Sequence, residues 1–186
     1  MNDYQKWGFK KSSITNRWKS NGFQDLPLDN FYTDQYHSFK VVPGSQISSE
    51  SVLIYDSQRE PSPRPHFLND WLKNPYGNVS AIIDHNGMCH GFGRIRPCLL
   101  KDNSRGWRIG PLLADTPPLA ELLIRKLIGN LDSQVLLDCS NLNPYANYLF
   151  SSLGFEEISK TYRMYKGLQP PCPMNQVYGL ACLELG

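Results

Sequence analysis

Several features are scarce in this 186-residue sequence. No run approaches the roughly 18 apolar residues of a membrane-spanning helix, so no span is predicted. The opening residues, MNDYQKWGFKK, lack the apolar centre of a secretory leader, and no leader is expected there. Charge is sparse: 19% of residues are Asp, Glu, Lys or Arg, and the net charge is +2. That balance predicts no nucleic-acid partner. The one basic and aromatic segment, YQKWGFKKSSITNRWK, reads instead as a solvated strand face. The five cysteines (Cys89, Cys98, Cys139, Cys172, Cys182) are odd in number and form no Cys-x-x-Cys. Cys89 adjoins His90, but no second cluster completes a metal set, so neither a disulfide framework nor a metal site is expected. They read as reduced, mostly core thiols of a cytoplasmic protein.

Apolar and aromatic residues, by contrast, are plentiful. Forty per cent of the chain is apolar and 12% is aromatic, enough for a real core and against disorder throughout. The length suits one domain, or one domain with an appendage. Residues 9–19 read as extended. A strand is expected near 39–42, before Pro43-Gly44. Residues 51–56 suit a short helix or a strand equally. In HFLNDWLK, Phe67, Leu68, Trp71 and Leu72 share one helical face, stopped before Pro75. NVSAIID and MCHGFGRIR read as the arms of a hairpin about His85-Asn86-Gly87. A third strand is expected around 107–109. A helix follows from Pro117-Pro118, where the missing N–H groups cost nothing. Its stripe is Leu119, Leu122, Leu123, Leu127, Ile128 and Leu131, with Glu121 and Arg125 paired on another side. QVLLD reads as a buried central strand. A helix over about 144–153 ends at Gly154. Residues 155–166 return to extended chain, and QVYGLACLEL reads as a last strand after a proline-rich break. The order is an antiparallel meander running into a strand–helix–strand crossover, a mixed α/β (α+β) fold.

The sequence also repeats itself. An offset of 146 residues lays Gly8 on Gly154, Phe9 on Phe155, Thr15 on Thr161 and Arg17 on Arg163. Further, GFGRIRP, WRIGPLLAD, VLLDCSNLNPYA, YRMYKG and VYGLACLELG resemble the carboxy-terminal lobe of tandem GCN5-related N-acetyltransferases (GNAT). VLLDCSNLNPYANYLFSSLGF is the strongest element of that resemblance. The resemblance implies a mostly antiparallel central sheet with flanking helices. It implies residues 1–22 as the remnant of the end of a preceding lobe, 23–167 as a GNAT-like domain, and 168–186 as an extension with a final strand. It also implies acetyl-CoA as cofactor and a small-molecule or peptide amine as substrate. Either a homodimer or docking on a preceding lobe is the expected assembly.

For the cofactor, the resemblance points to Leu112, Leu113, Ala114, Leu119, Ala120, Asn143, Asn147 and Phe150. Two departures stand in its way. Family members hold the pyrophosphate with a glycine-rich loop at a helix N-terminus. Here the matching stretch, LADTPPLA, has no glycine, loses two donors to proline, and carries Asp115. The tyrosine that serves as general acid is matched by Phe150, whereas the first copy of the repeat keeps Tyr4 at that position. Tyr4 and Asp138 are therefore the catalytic candidates, with the chemistry expected mainly in the preceding lobe. Asp56, Arg64, Arg94, Arg96 and Arg163 are candidate substrate contacts. The same residues read equally as ion pairs tying sheet ends and loops together. His85 and His90, at the hairpin, suit either a general base or a solvated turn.

Overall fold

The computed structural model describes residues 2–21, 38–60, 62–168 and 170–183. In chain order the elements are α1 (Asn2–Lys6), β1 (Lys10–Ser20), β2 (Lys40–Pro43), α2 (Ser49–Ser57), α3 (Pro65–Lys73), β3 (Asn78–Ile83), β4 (Cys89–Leu99), β5 (Arg105–Ala114), α4 (Pro117–Ile128), β6 (Val135–Ser140), α5 (Ala146–Ser152), β7 (Glu156–Tyr165) and β8 (Val177–Gly179). The ambiguous stretch at 51–56 is helical. The final strand is shorter than the sequence suggests; residues 184–185 of that expectation lie outside the described residues.

One eight-stranded sheet runs β2-β3-β4-β5-β6-β1-β7, with β8 paired to β5 off that path. It is the expected mixed sheet. β5 and β6 are parallel, joined through α4, and every other pairing is antiparallel. β1 lies between β6 and β7, bonded on both sides. The amino-terminal segment is thus an interior strand of this sheet.

α4 covers the sheet because its apolar residues recur every three to four positions. Leu119, Ala120, Leu123, Ile124, Leu127 and Ile128 are all buried. A side chain at Gly93 would put its Cβ 2.9 Å from Leu127 and 2.8 Å from Leu112, so glycine there lets helix and sheet close up. Trp18, Phe150, Phe155 and Tyr178 complete this core, and Trp18 meets Phe150 edge-on at 5.5 Å. A second cluster joins Val52, Tyr55 and Leu68 of α2 and α3 to Phe92 and Leu113 of the sheet.

Candidate functional site

β5 and β6 run side by side only from Trp107–Ile109 against Val135–Leu137. Beyond that they part. In open α/β sheets, ligands sit at the carboxyl ends of strands where neighbours diverge. Here the chain itself enters the opening. β8 pairs with β5 through Leu112↔Gly179 and Leu113↔Val177. On the other side, the Leu180 N–H donates to the Asp138 carbonyl at 2.8 Å, and Asn143 Nδ2 donates to the Val177 carbonyl at 3.0 Å. Tyr178 is fully buried. Two glycines permit the approach. A Cβ at Gly179 would lie 2.9 Å from Leu112 Cβ, and one at Gly110 would collide with the Leu180 carbonyl oxygen.

The cofactor candidates fall around this plug. Leu112 and Leu113 pair with β8, and Ala114 pairs with Gly91 of β4. Leu119 and Ala120 are buried in the first turns of α4. Asn143 holds β8, and its Oδ1 accepts from the Tyr145 N–H. Phe150 is packed against Trp18 and Phe155. Asn147 is exposed.

Asp115, just before α4, is the hub of a cluster that sequence reasoning did not assemble. Its Oδ1 lies 2.7 Å from the Tyr55 hydroxyl and 2.7 Å from Arg59 Nη2. Its Oδ2 lies 2.8 Å from His90 Nδ1. His90 Nε2 faces Asp84 at 3.6 Å, so the imidazole is held between two carboxylates. Its Nδ1 is taken up by Asp115, whereas its Nε2 stands beyond hydrogen-bond distance of Asp84. Burial, then the bond to Asp115, pushes the Tyr55 phenol well above its usual range. The charge of Asp115 is matched by Arg59. The period of the hairpin gives no hint of this, because Tyr55 arrives on α2 and Arg59 on the turn that follows it. His85 stays exposed on the turn.

Asp138 is 1% exposed and fully engaged. Arg17 bonds both its oxygens, Nε at 2.7 Å and Nη2 at 3.0 Å, and Arg108 stands 3.8 Å away. Arg96 faces Arg108 directly across β4 and β5. Burial, then the Arg108 charge, lowers the Arg96 pKa. The Nε atoms of Arg96 and Arg108 are buried without partners. Beside this cluster a groove of about 710 Å³ is walled by Arg17, Lys19, Lys101 and Arg108, with Asp102 as its acid.

The remaining candidates fall into separate groups. Arg94, 2% exposed, donates to the Trp71, Asn74 and Tyr76 carbonyls at the end of α3. Arg96 lies over the Trp71 ring at 4.9 Å. Arg64 clasps Asp56 through Nε (3.1 Å) and Nη2 (2.9 Å), and reaches Glu60 at 3.1 Å. Burial alone would lower the Arg64 pKa, but the Asp56 carboxylate raises it. Burial likewise raises the Glu60 carboxyl, outweighing Arg64. Arg163 is half-buried on β7, with Tyr165 at 5.5 Å. Tyr4 is 54% exposed on α1. The fold therefore gathers Arg96 and Asp138 with Arg17 and Arg108, brings Asp56, Arg64 and Arg163 together about Glu60, and leaves Tyr4 exposed on α1. No group of three or more His, Cys, Asp or Glu suited to a metal ion occurs among the described residues. None of the described helices is long and apolar enough to cross a membrane.

The sequence profile of the acetyltransferase (GNAT) domain matches residues 52–179. Holothin acyltransferase of Pseudoalteromonas sp. (strain SANK 73390) is 29% identical over 187 residues, 99% of this chain and 58% of that protein. A Pyrococcus horikoshii protein assigned as an acetyltransferase superposes with a TM-score of 0.72 at 19% identity, over 98% of this chain and 55% of its own. A GCN5-related N-acetyltransferase of Sphaerobacter thermophilus gives a TM-score of 0.60 at 10% identity, over 88% and 54%. The chain thus spans little more than half the length of these relatives.

Proposed function

Because this chain belongs to the GNAT acetyltransferase family, whose fold generally uses acetyl-CoA, we propose that it is one lobe of a two-lobe acyl-CoA-dependent N-acyltransferase, and that the acyl donor binds in the other lobe. The observation that carries this reading is β8. An acyl-CoA entering between β5 and β6 would have to displace Val177–Leu180 from its bonds to Leu112, Leu113, Asp138 and Asn143. It would then meet an α4 N-terminus that has lost two N–H donors to Pro117 and Pro118. The position of the acid tyrosine is Phe150, deep in the core. The residues present do not fit acetyl-CoA in this lobe.

This lobe then serves the reaction by docking and by shaping the acceptor side. Tyr4, the first repeat copy's counterpart of Phe150, is the proton-donating side chain that it presents toward the other lobe. The likeness to Holothin acyltransferase supports acyl transfer, and the acceptor proposed for this chain is a small-molecule amine. The test is release of free CoA thiol from acetyl-CoA in the presence of amines. The 186-residue chain alone gives none, and turnover appears when a second GNAT lobe is supplied. Turnover by the chain alone overturns the proposal.

One observation favours a second reading. Thr116 Oγ1, at the N-terminus of α4, and the Tyr178 hydroxyl, in the plug, are buried without partners. In that reading β8 withdraws and the lobe takes its own acyl-CoA. Gly110→Ala, which pushes Leu180 off β5, then creates acetyl-CoA affinity; no gain in affinity removes this reading.

A further inference from the structure

The two faces of the sheet differ in charge. On β1, β4, β5 and β6, the side chains of Trp18, Ile95, Ile109 and Leu137 are buried in the core that α4 closes. Successive strand residues point to opposite faces, so their neighbours Lys19, Arg96, Arg108 and Leu136 point away from α4. The strand registers put these four in one row across the sheet. Lys19 stands opposite Leu136, Leu136 opposite Arg108, and Arg108 opposite Arg96. Two residues along β1 and β6, Arg17 stands opposite Asp138.

The row is unbalanced. It carries the cations Lys19, Arg108 and Arg96. Among the described residues, its one ion pair is the 3.8 Å contact of Arg108 with Asp138, whose two oxygens Arg17 already bonds. Like charges directly opposite on a sheet are destabilising, and buried donors left without acceptors add to that cost. The Nε atoms of both Arg96 and Arg108 are such donors. The row opens on the groove of about 710 Å³, a size typical of small-molecule sites. Lys101 reaches it from the turn between β4 and β5. Asp102, in the same turn, spends its Oδ1 on the Ser104 N–H (3.0 Å) and hydroxyl (2.7 Å). Leu99, 72% exposed, and Ile158, 47% exposed, stand at the groove as apolar walls.

We infer that this groove is a binding site for a small phosphomonoester with an apolar body. Its phosphate lies between the heads of Arg108 and Lys19, with Lys101 at the rim and the Arg96 charge behind. The two strands that carry Arg108 and Lys19 are two places apart, roughly 10 Å, a gap that two long side chains close around one phosphate. A guanidinium fork fits a phosphate dianion bidentately, and Lys19 meets it as a point charge. The apolar body rests on Leu99 and Ile158. The site lies at the amino-terminal ends of β5 and β6, whereas β8 fills the opening at their carboxyl ends. It therefore does not depend on where the acyl donor binds. Acetyl-CoA is not its ligand. The described lining comes from strands and one turn, and strand N–H groups serve the ladders, so the groove offers side-chain cations without the backbone donors of a helix N-terminus that suit a pyrophosphate.

The probe is phenyl phosphate, titrated calorimetrically into the 186-residue chain with no acyl-CoA present. Inorganic phosphate and phenol supply its two halves separately. One site per chain is expected, at least tenfold tighter for phenyl phosphate than for either half, and weakened by added salt. Lys19→Gln and Arg108→Gln should each weaken binding at least tenfold. Lys19 has no ion pair among the described residues, so Lys19→Gln should keep the melting temperature and serves alone if Arg108→Gln does not fold. Leu99→Ser should weaken phenyl phosphate and leave inorganic phosphate unchanged. No binding at millimolar phenyl phosphate, binding indifferent to Lys19→Gln, or displacement of the probe by equimolar acetyl-CoA overturns the inference. Because the readout is binding of a ligand without a thioester, its failure is separable from a failure of the acyl-transfer proposal.

Discussion

Removing a single hydroxyl from each of two buried tyrosines should move stability in opposite directions. Tyr55 is 4% exposed, and its hydroxyl lies 2.7 Å from the Asp115 carboxylate and 3.0 Å from the His90 carbonyl. Tyr55→Phe takes a donor from a charged acceptor, a change of about 1.5–3 kcal/mol. It also loosens the tie between α2 and the start of α4. Tyr178 is 0% exposed, and its hydroxyl has no hydrogen-bond partner. Burying an unpaired hydroxyl costs about 1–3 kcal/mol by protein mutational data. Tyr178→Phe keeps the ring, removes that cost, and should stabilise the protein by about 1 kcal/mol. For a chain of this length that is a rise in Tm of about 2–4 °C, against a fall of about 3–12 °C for Tyr55→Phe. Urea denaturation followed by circular dichroism should give the same order of midpoints with an unchanged slope. Equal losses in both variants would refute the assignment of an unpaired hydroxyl inside the plug. They would mean that the β5–β6 opening is wetter or looser than described.

Three other outcomes follow from the same contacts. Asp138→Ala leaves Arg17 and Arg108 without their shared carboxylate and should destabilise by about 3 kcal/mol. The pair Arg17→Met with Asp138→Leu should recover most of that loss, as a double-mutant cycle in denaturant would show. Burial pushes the Cys89 thiol up to about 12 from 9.0, so the folded state keeps a proton that the unfolded chain gives up. Its contribution is therefore complete below pH 9 and is lost as pH rises from there toward 12. Cys89→Ala should flatten that alkaline fall in melting temperature, and a thiol reagent should reach Cys98 and Cys182 natively but Cys89 and Cys139 only after unfolding. Gly110→Ala sets a methyl against the Leu180 carbonyl oxygen and should make residues 174–183 the first site of limited proteolysis; unchanged resistance would contradict the close approach of β8 to β5.

The legible part of this protein was what local periodicity dictates. The stripe of α4, the hairpin of β3 and β4, and the buried run of β6 each follow from spacing within a dozen residues, and the structure forms each one. The repeat was legible too, and it put Arg17 and Arg163 on equivalent strands. Its consequence was not, because pairing between β1 and β7 joins residues about 146 apart, and sequence patterns carry no register across that distance. The run QVYGLACLEL read as a strand, of which Val177–Gly179 forms one, but nothing local says whether a strand adds to an edge or fills a gap. That choice depends on Gly110 and Gly179 allowing two backbones to meet. Asp115 looked like an unmatched charge because Tyr55, Arg59 and His90 are brought to it only by the packing of α2 on β4. Asp138 suited both a catalytic carboxylate and an ion pair. Its full engagement by Arg17, from a strand 121 residues away, is what the fold adds.

The central claim is that this lobe does not hold the acyl donor. Calorimetric titration of acetyl-CoA into the 186-residue chain tests it most directly. The account predicts no binding heat up to millimolar cofactor, because Val177–Leu180 fills the opening between β5 and β6. A micromolar dissociation constant, with one site per chain, would contradict it and place the cofactor in this lobe.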